Sequence, residues 1–171
     1  MMLFRMLRAD EIECRVAQIT ENGLTLLLYK DARCDMNILD ETVGPLNWKR
    51  SHSRDNANCT VSIYDSDKKE WVSKEDTGTE SNTEALKGLA SDSFKRACVN
   101  WGIGRELYSA PRIWVSADKC NLKKRGERFA CYDSFSVEKI AYSDAGNITG
   151  LAIRNDSTGK RVFLYHEGKD S

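Results

Sequence analysis

One segment of the chain carries the residues with the clearest chemistry. Lys95 and Arg96 are adjacent, and Asp92 precedes them by three and four positions. On an α-helix neighbouring residues are about 100° apart, so both cations can flank an apolar stripe at its edge. The Asp92 carboxylate at i−3 and i−4 is within reach of either one. The pattern reads as a solvated helix face with a salt bridge, or as an edge that grips phosphate. The pair alone leaves both open.

Other basic residues fall into blocks. Residues 45–54 hold Lys49, Arg50 and Arg54 and no acid. Residues 85–105 hold Lys87, Lys95, Arg96 and Arg105 against Asp92, and residues 112–128 hold 6 basic and 2 acidic side chains. Acidic stretches alternate with them: residues 1–44 carry 5 basic and 8 acidic groups, and residues 65–84 carry 3 and 7. The formal net charge is zero, from 26 Lys plus Arg and 26 Asp plus Glu. That balance excludes a protein that coats nucleic acid by bulk charge and requires any anion site to be a local cluster.

Several chemistries lack their residues. There is no Gly-x-x-x-x-Gly-Lys-Ser/Thr loop for a nucleotide triphosphate. Gly102-Ile103-Gly104-Arg105 resembles the start of a phosphate loop but follows a helix pattern, so it reads as a helix end. There is no Cys-His pairing at a catalytic spacing, and His52 and His166 read as surface or strand residues. Cys14, Cys34, Cys59, Cys98, Cys120 and Cys131 include no Cys-x-x-Cys, and read as reduced, mostly buried thiols. Asp133 with Glu138-Lys139 is the one pattern that suits a metal nuclease. On a strand, residues five apart face opposite sides, which argues against a shared ion.

These residues need elements to hold them. Ile12, Cys14, Val16 and Gln18 alternate with Glu13 and Arg15, which predicts a strand over 12–19. Asn22-Gly23 turns it into a second strand, Leu24–Tyr29. Met36, Leu39 and Val43 have helical spacing, and Gly44-Pro45 stops that helix. Residues 48–53, 59–64 and 70–73 read as three strands of a meander. The main helix is expected over 82–101, with Ser81 and Glu84 as a capping box. Leu86, Leu89, Ala90, Ser93, Ala97 and Trp101 form its buried stripe, widened by Phe94 and Cys98. Strands are expected again over 113–115, 130–142, 148–154 and 161–165. The fold class is α+β: an antiparallel sheet packed by one main helix, a β-β-β-α core, with a strand-rich C-terminal extension.

With 171 residues, no linker and no repeat, the sequence predicts one domain over 1–171. No apolar run is long enough to cross a bilayer, and the apolar stretch in MMLFRMLRADE is too short for a signal peptide. The expected location is the cytoplasm of a bacterial host cell, with no membrane partner.

The stretch SDSFKRACVNWGIGRELY, with Asp92, Lys95-Arg96-Ala97 and Trp101-Gly102, resembles the helix of the single-strand DNA annealing proteins of the Rad-fifty-two type, in particular their phage branch. Residues 29–48, YKDARCDMNILDETVGPLNW, resemble the family's small helix running into a strand that opens at Gly44-x-x-x-Trp48. The resemblance covers about residues 12–115, and residues 116–171 resemble the phage branch alone.

The resemblance implies a ring of subunits that grips the backbone of single-stranded DNA in a basic groove and leaves the bases free to pair. Lys95 and Arg96 take the place of the family's groove-lining pair. A family arginine aligns with Cys34, and the neighbouring Arg33 is assigned its role. Val99 and Pro45 stand where the family has a further base and an aromatic; Lys49, Arg50, Arg54 and Arg105 are candidates to compensate. Lys68 and Lys69 fall at a candidate second DNA site.

The function expected is ATP-independent single-stranded DNA binding and annealing in homologous recombination and repair, phage-encoded, with no cofactor, no metal and no enzymatic turnover. The alternative is a module of the same fold that binds nucleic acid or protein without annealing, in end protection, RNA binding or modulation of host defence. The partners expected are single-stranded DNA and further copies of the chain, with a single-stranded-DNA-binding protein as a candidate. Trp48 and Trp101 read first as core and second as platforms for bases.

Overall fold

A computed structural model describes residues 3–79 and 85–168. In chain order the elements are β1 (Glu13–Thr20), β2 (Gly23–Tyr29), α1 (Ala32–Val43), β3 (Trp48–Ser53), β4 (Asn58–Asp65), β5 (Glu70–Thr77), α2 (Ala85–Asn100), β6 (Ile113–Ser116), β7 (Leu122–Arg125), β8 (Arg128–Cys131), β9 (Phe135–Tyr142), β10 (Ile148–Asn155) and β11 (Lys160–His166). The chain divides into two compact units, Met1–Met6 with Asp31–Arg105, and Leu7–Lys30 with Glu106–Ser171. The α+β class is as the sequence predicts. The expected capping box of Ser81 and Glu84 lies outside the described residues.

The first unit is a β-β-β-α core. Strands β3, β4 and β5 form an antiparallel sheet in that order. Arg50 pairs with Val61, and Val61 with Lys74, so these three share a face. That face carries Cys59, Val61 and Ile63, all buried, and α2 packs on it. From α2 come Leu89, Phe94, Ala97 and Cys98, also buried, as the apolar spacing requires. Each large apolar side chain so enclosed contributes roughly 1.5–3 kcal/mol. The opposite face is polar apart from the Tyr64–Trp71 ring pair: Ser62 and Ser73 share a hydroxyl bond of 2.7 Å, and Glu75 accepts from Asn58 and Thr60.

Two features lock α2 to this sheet. The β3–β4 turn runs Arg54, Asp55 and Asn56 through left-handed backbone, at φ 51°, 52° and 71°, a conformation Asn and Asp tolerate better than most residues. The Ser93 hydroxyl on α2 donates to the Asn56 carbonyl at 2.8 Å and holds that turn. Beyond β5, Gly78 lies directly against the helix; a Cβ there would come within 2.8 Å of the Ser93 backbone nitrogen.

In α1, Asp31 is the N-cap and its carboxylate accepts the Arg33 N–H at 2.7 Å. Gly44, at φ 87°, ends the helix. Ile38 and Leu39 are its buried apolar centre; Met36 and Val43 are half-buried.

The second unit is a six-stranded antiparallel sheet in the order β11-β10-β9-β1-β2-β6, with β7-β8 as a separate hairpin. The first hairpin and the strand-rich C-terminal segment therefore share one sheet. Gly23 admits the Val115 carbonyl, which would lie 2.3 Å from a Cβ at that position.

Several strand boundaries differ from expectation. The pairing of β1 shifts between Val16 and Gln18, so Ile19 rather than Gln18 turns inward. The expected strand 130–142 is two strands, because Asp133 between them accepts from Asn121 N and Nδ2 and from Asn155 Nδ2. Strand β7, LKKR, has no alternating pattern to announce it. Strand β5 extends to Thr77 through residues too polar to read as a strand.

Candidate nucleic-acid interface

Helix α2 sets Lys95 and Arg96 on two flanks of its buried stripe. Arg96 turns towards the end of β5: its Nε donates to Asp92 Oδ2 at 2.9 Å, and its Nη2 lies 3.5 Å from the Thr79 hydroxyl. The same Asp92 oxygen accepts the Thr79 N–H at 2.9 Å. Burial pushes the Asp92 carboxyl up, but these bonds and the nearby cations outweigh it, and the net shift is downward. Of the two cations Asp92 can reach, it bonds Arg96.

The charge of Lys95 acts on the start of α1. There the Arg33 guanidinium bonds Asp31, at 3.1 Å from Nη2 to Oδ2. The Arg33 side-chain bond, then its backbone N–H, hold the Asp31 carboxyl below its ordinary range, and the charge of Lys95 lowers it further. Lys95 also lowers Asp92. Arg33, Asp31, Lys95, Asp92 and Arg96 thus form one electrostatically linked group of alternating charge sign in one unit. Asp31 is absent from the sequence-level set. Its signal was its place as N-cap two residues before Arg33.

The block on β3 is split by the strand's two-residue period. Arg50 lies on the helix side, its guanidinium carbon 4.6 Å from the Phe94 ring centre. Lys49 lies on the open face, 4.2 Å from the Trp71 ring centre. Arg54 is exposed in the β3–β4 turn, beside the end of the sheet that carries Asn56. His52 is half-buried near Ser93; burial, then the charge of Arg50, push its imidazole below the ordinary value.

The remaining candidates stand apart. Arg105 donates to the Val99 carbonyl at 2.8 Å and the Asn100 carbonyl at 3.2 Å, and Lys74 also bonds the latter at 2.8 Å. Both thereby satisfy carbonyls at the C-terminus of α2. Lys68, paired with Asp65 at 3.6 Å, and Lys69 occupy the β4–β5 turn, at the end of β4 opposite Arg54. Cys34 is buried, Val99 half-buried and Pro45 exposed.

Trp48 donates to Asp40 Oδ1 at 2.6 Å and stacks on Phe94 with ring centres 6.1 Å apart. Trp101 donates to the Val61 carbonyl at 3.1 Å. Both indoles are parts of the packing. Asp133 is held by Asn121 and Asn155, and Glu138 by Arg161 at 2.8 Å, so the nuclease pattern dissolves into two separate bonded groups. Asp133 sits in the loop before β9 rather than on a strand with Glu138. Among the described residues no three His, Cys, Asp or Glu side chains are placed to hold a metal ion.

Residues 5–125 match the Rad52/22 family of double-strand break repair proteins. The chain belongs to the Rad52/22 family. Two relatives, each a single-stranded DNA-binding protein DdrA, match shorter stretches. That of Deinococcus deserti is 49% identical over 47 residues, 26% of this chain and 23% of the relative. That of Deinococcus radiodurans is 45% identical over 49 residues, 28% and 24% respectively. The matched stretch thus spans about a quarter of each relative's length. No solved structure matches. The Rad52/22 match includes Arg33, Asp31, Lys95, Asp92 and Arg96, helices α1 and α2 and the β3–β5 sheet. Among the described residues no helix is long and apolar enough to cross a membrane.

Proposed function

We propose that this Rad52/22 family member binds single-stranded DNA along the outer edge of α2 and anneals complementary strands without ATP, in recombination and repair. The observation that carries the reading is the pair Lys95 and Arg96, each set beside a carboxylate. Arg96 is held by Asp92, and the charge of Lys95 acts on both Asp92 and Asp31. Side chains held in this way lose less freedom when they meet a phosphate than loose ones would. Arg33, Arg50 and Arg54 extend the contact, and Lys68 and Lys69 belong to a second, weaker site. Base pairing itself releases the energy of annealing, so no nucleotide is consumed.

Each subunit offers few phosphate contacts, so binding is weak and salt-dependent singly and gains from side-by-side assembly. The edge strands β3 and β5 suit such an assembly into a ring. The phage-type origin rests on the resemblance of residues 91–108 and of the strand-rich residues 116–171 to the phage branch, and cytoplasmic action follows from the reading as a DNA repair protein. A second reading is favoured by the names of the two relatives, which describe binding and not annealing: the chain would cover single strands without pairing them.

The test is pairing of two fluorescently labelled complementary oligonucleotides without ATP or Mg²⁺. Acceleration by the protein supports annealing. Binding by anisotropy with no acceleration selects the second reading, and absence of both overturns each.

A further inference from the structure

The β7–β8 hairpin of the second unit has a chemistry that the α2 edge does not account for. Its register pairs Lys123 with Ala130 and Arg125 with Arg128. Directly opposed residues share a face, as do residues two apart on one strand. One face therefore carries Lys123, Arg125 and Arg128, with only Ala130 among them. Tyr132 follows Ala130 by two positions and is 69% exposed; Lys123 Nζ lies 5.9 Å from its ring centre. The other face pairs Leu122 with Cys131, both half-buried, and Lys124 with Phe129. Strand β8 neighbours β1 in the same unit.

Several cations elsewhere in the chain are held in ion pairs: Arg5, Arg8, Arg33, Lys68, Arg96 and Arg161. Among the described residues, Lys123, Arg125 and Arg128 form none, and Glu127 at the tip is the one acid between Asp118 and Asp133. Three exposed cations beside an exposed aromatic ring leave their charge to be answered from outside.

We infer that this face is a separate contact for single-stranded nucleic acid, with Lys123, Arg125 and Arg128 on successive phosphates and Tyr132 stacked on a base. Lys123 and Arg125 are spaced by about 6.8 Å along the strand, which suits an extended backbone. A lone aromatic ring among cations suits a base better than a lipid surface, which would take several apolar side chains. This inference rests on the proposed single-stranded DNA binding and adds a site in the other unit.

The test is anisotropy of a labelled oligothymidylate against a salt series. It uses the full chain, the triple variant Lys123→Gln, Arg125→Gln, Arg128→Gln, and Tyr132→Ala. Circular dichroism and thermal unfolding confirm that the exposed substitutions leave the fold intact. Losing three phosphate contacts lowers the slope of log K against log salt by about 2 and weakens binding roughly tenfold or more. Tyr132→Ala weakens it roughly fivefold or more. An unchanged affinity in either variant overturns the hairpin contact and leaves the α2 reading standing. A wild-type chain that does not bind the oligonucleotide overturns both. A triple variant that loses binding to phosphatidylserine vesicles and keeps the oligonucleotide assigns the face to lipid and overturns the inference.

Discussion

Asp92 and Arg96, one helical turn apart on α2, are joined by a bond of 2.9 Å, and the same Asp92 oxygen holds the backbone N–H of Thr79. The acid thus fixes a cation and also ties the end of β5 to the helix. Charge and orientation then make opposite predictions for Asp92→Asn. Removing a negative charge from the group would tighten DNA binding if charge alone mattered. If orientation matters, Arg96 loses its anchor and binding weakens a few-fold despite the added net charge. The pair is partly exposed, so the stability loss is about 1 kcal/mol or less. Anisotropy titration and thermal unfolding of the variant decide between the two, and tighter binding contradicts orientation.

Arg50 and Lys49 are sequence neighbours on opposite faces of β3. Arg50→Ala should weaken single-stranded DNA binding more than Lys49→Ala, because Arg50 alone lies on the helix side. It should also destabilise the protein by about 0.5–1 kcal/mol through loss of its contact with the Phe94 ring. Equal losses of affinity from the two variants would count against a site on the α2 side.

Gly78→Ala places a methyl group 2.8 Å from the Ser93 backbone nitrogen, where no flexible side chain can yield. The expected cost is about 1–3 kcal/mol, read as a lower denaturant midpoint at unchanged slope. Retained stability would mean that β5 and α2 are not in the close contact described here.

Much of this fold is legible in the sequence, and the parts that are not have physical reasons. The spacing of Leu89, Phe94, Ala97 and Cys98 gives α2 its buried face directly. Asn22-Gly23 gives the first hairpin. What local patterns do not carry is long-range pairing: nothing in residues 12–19 says that β1 lies beside β9, more than a hundred positions on. Polar strands such as β7 and the end of β5 are held by ladder bonds and side-chain pairs, not by apolar alternation, and so leave little trace. Within the candidate interface, Lys95 and Arg96 are legible as a pair. The division of labour is not, because it depends on Asp31 and Thr79 arriving from other elements. Arg105 read as a candidate DNA contact, and its geometry gives it a place at the C-terminus of α2.

His52 links stability to pH. Its imidazole is pushed below the ordinary value of 6.5, first by burial and then by Arg50. Protonation is therefore easier in the unfolded chain, and stability is fully present above pH 6.5 and declines as pH falls through and below it. His52→Gln should flatten that part of the stability–pH curve while leaving the curve above pH 7 unchanged in shape. A curve between pH 5 and 7 with the same slope in both proteins would remove His52 from the explanation.

The most direct test of single-stranded DNA binding at α2 is the affinity of the double variant Lys95→Ala, Arg96→Ala for a labelled oligothymidylate in low salt, measured by anisotropy beside the wild-type chain. With both phosphate contacts gone, binding should weaken roughly tenfold or more and its salt slope should fall by about 1.4. The thermal transition should stay within a few degrees. Wild-type affinity and slope in the double variant would contradict the assignment of the α2 edge as the DNA-binding site.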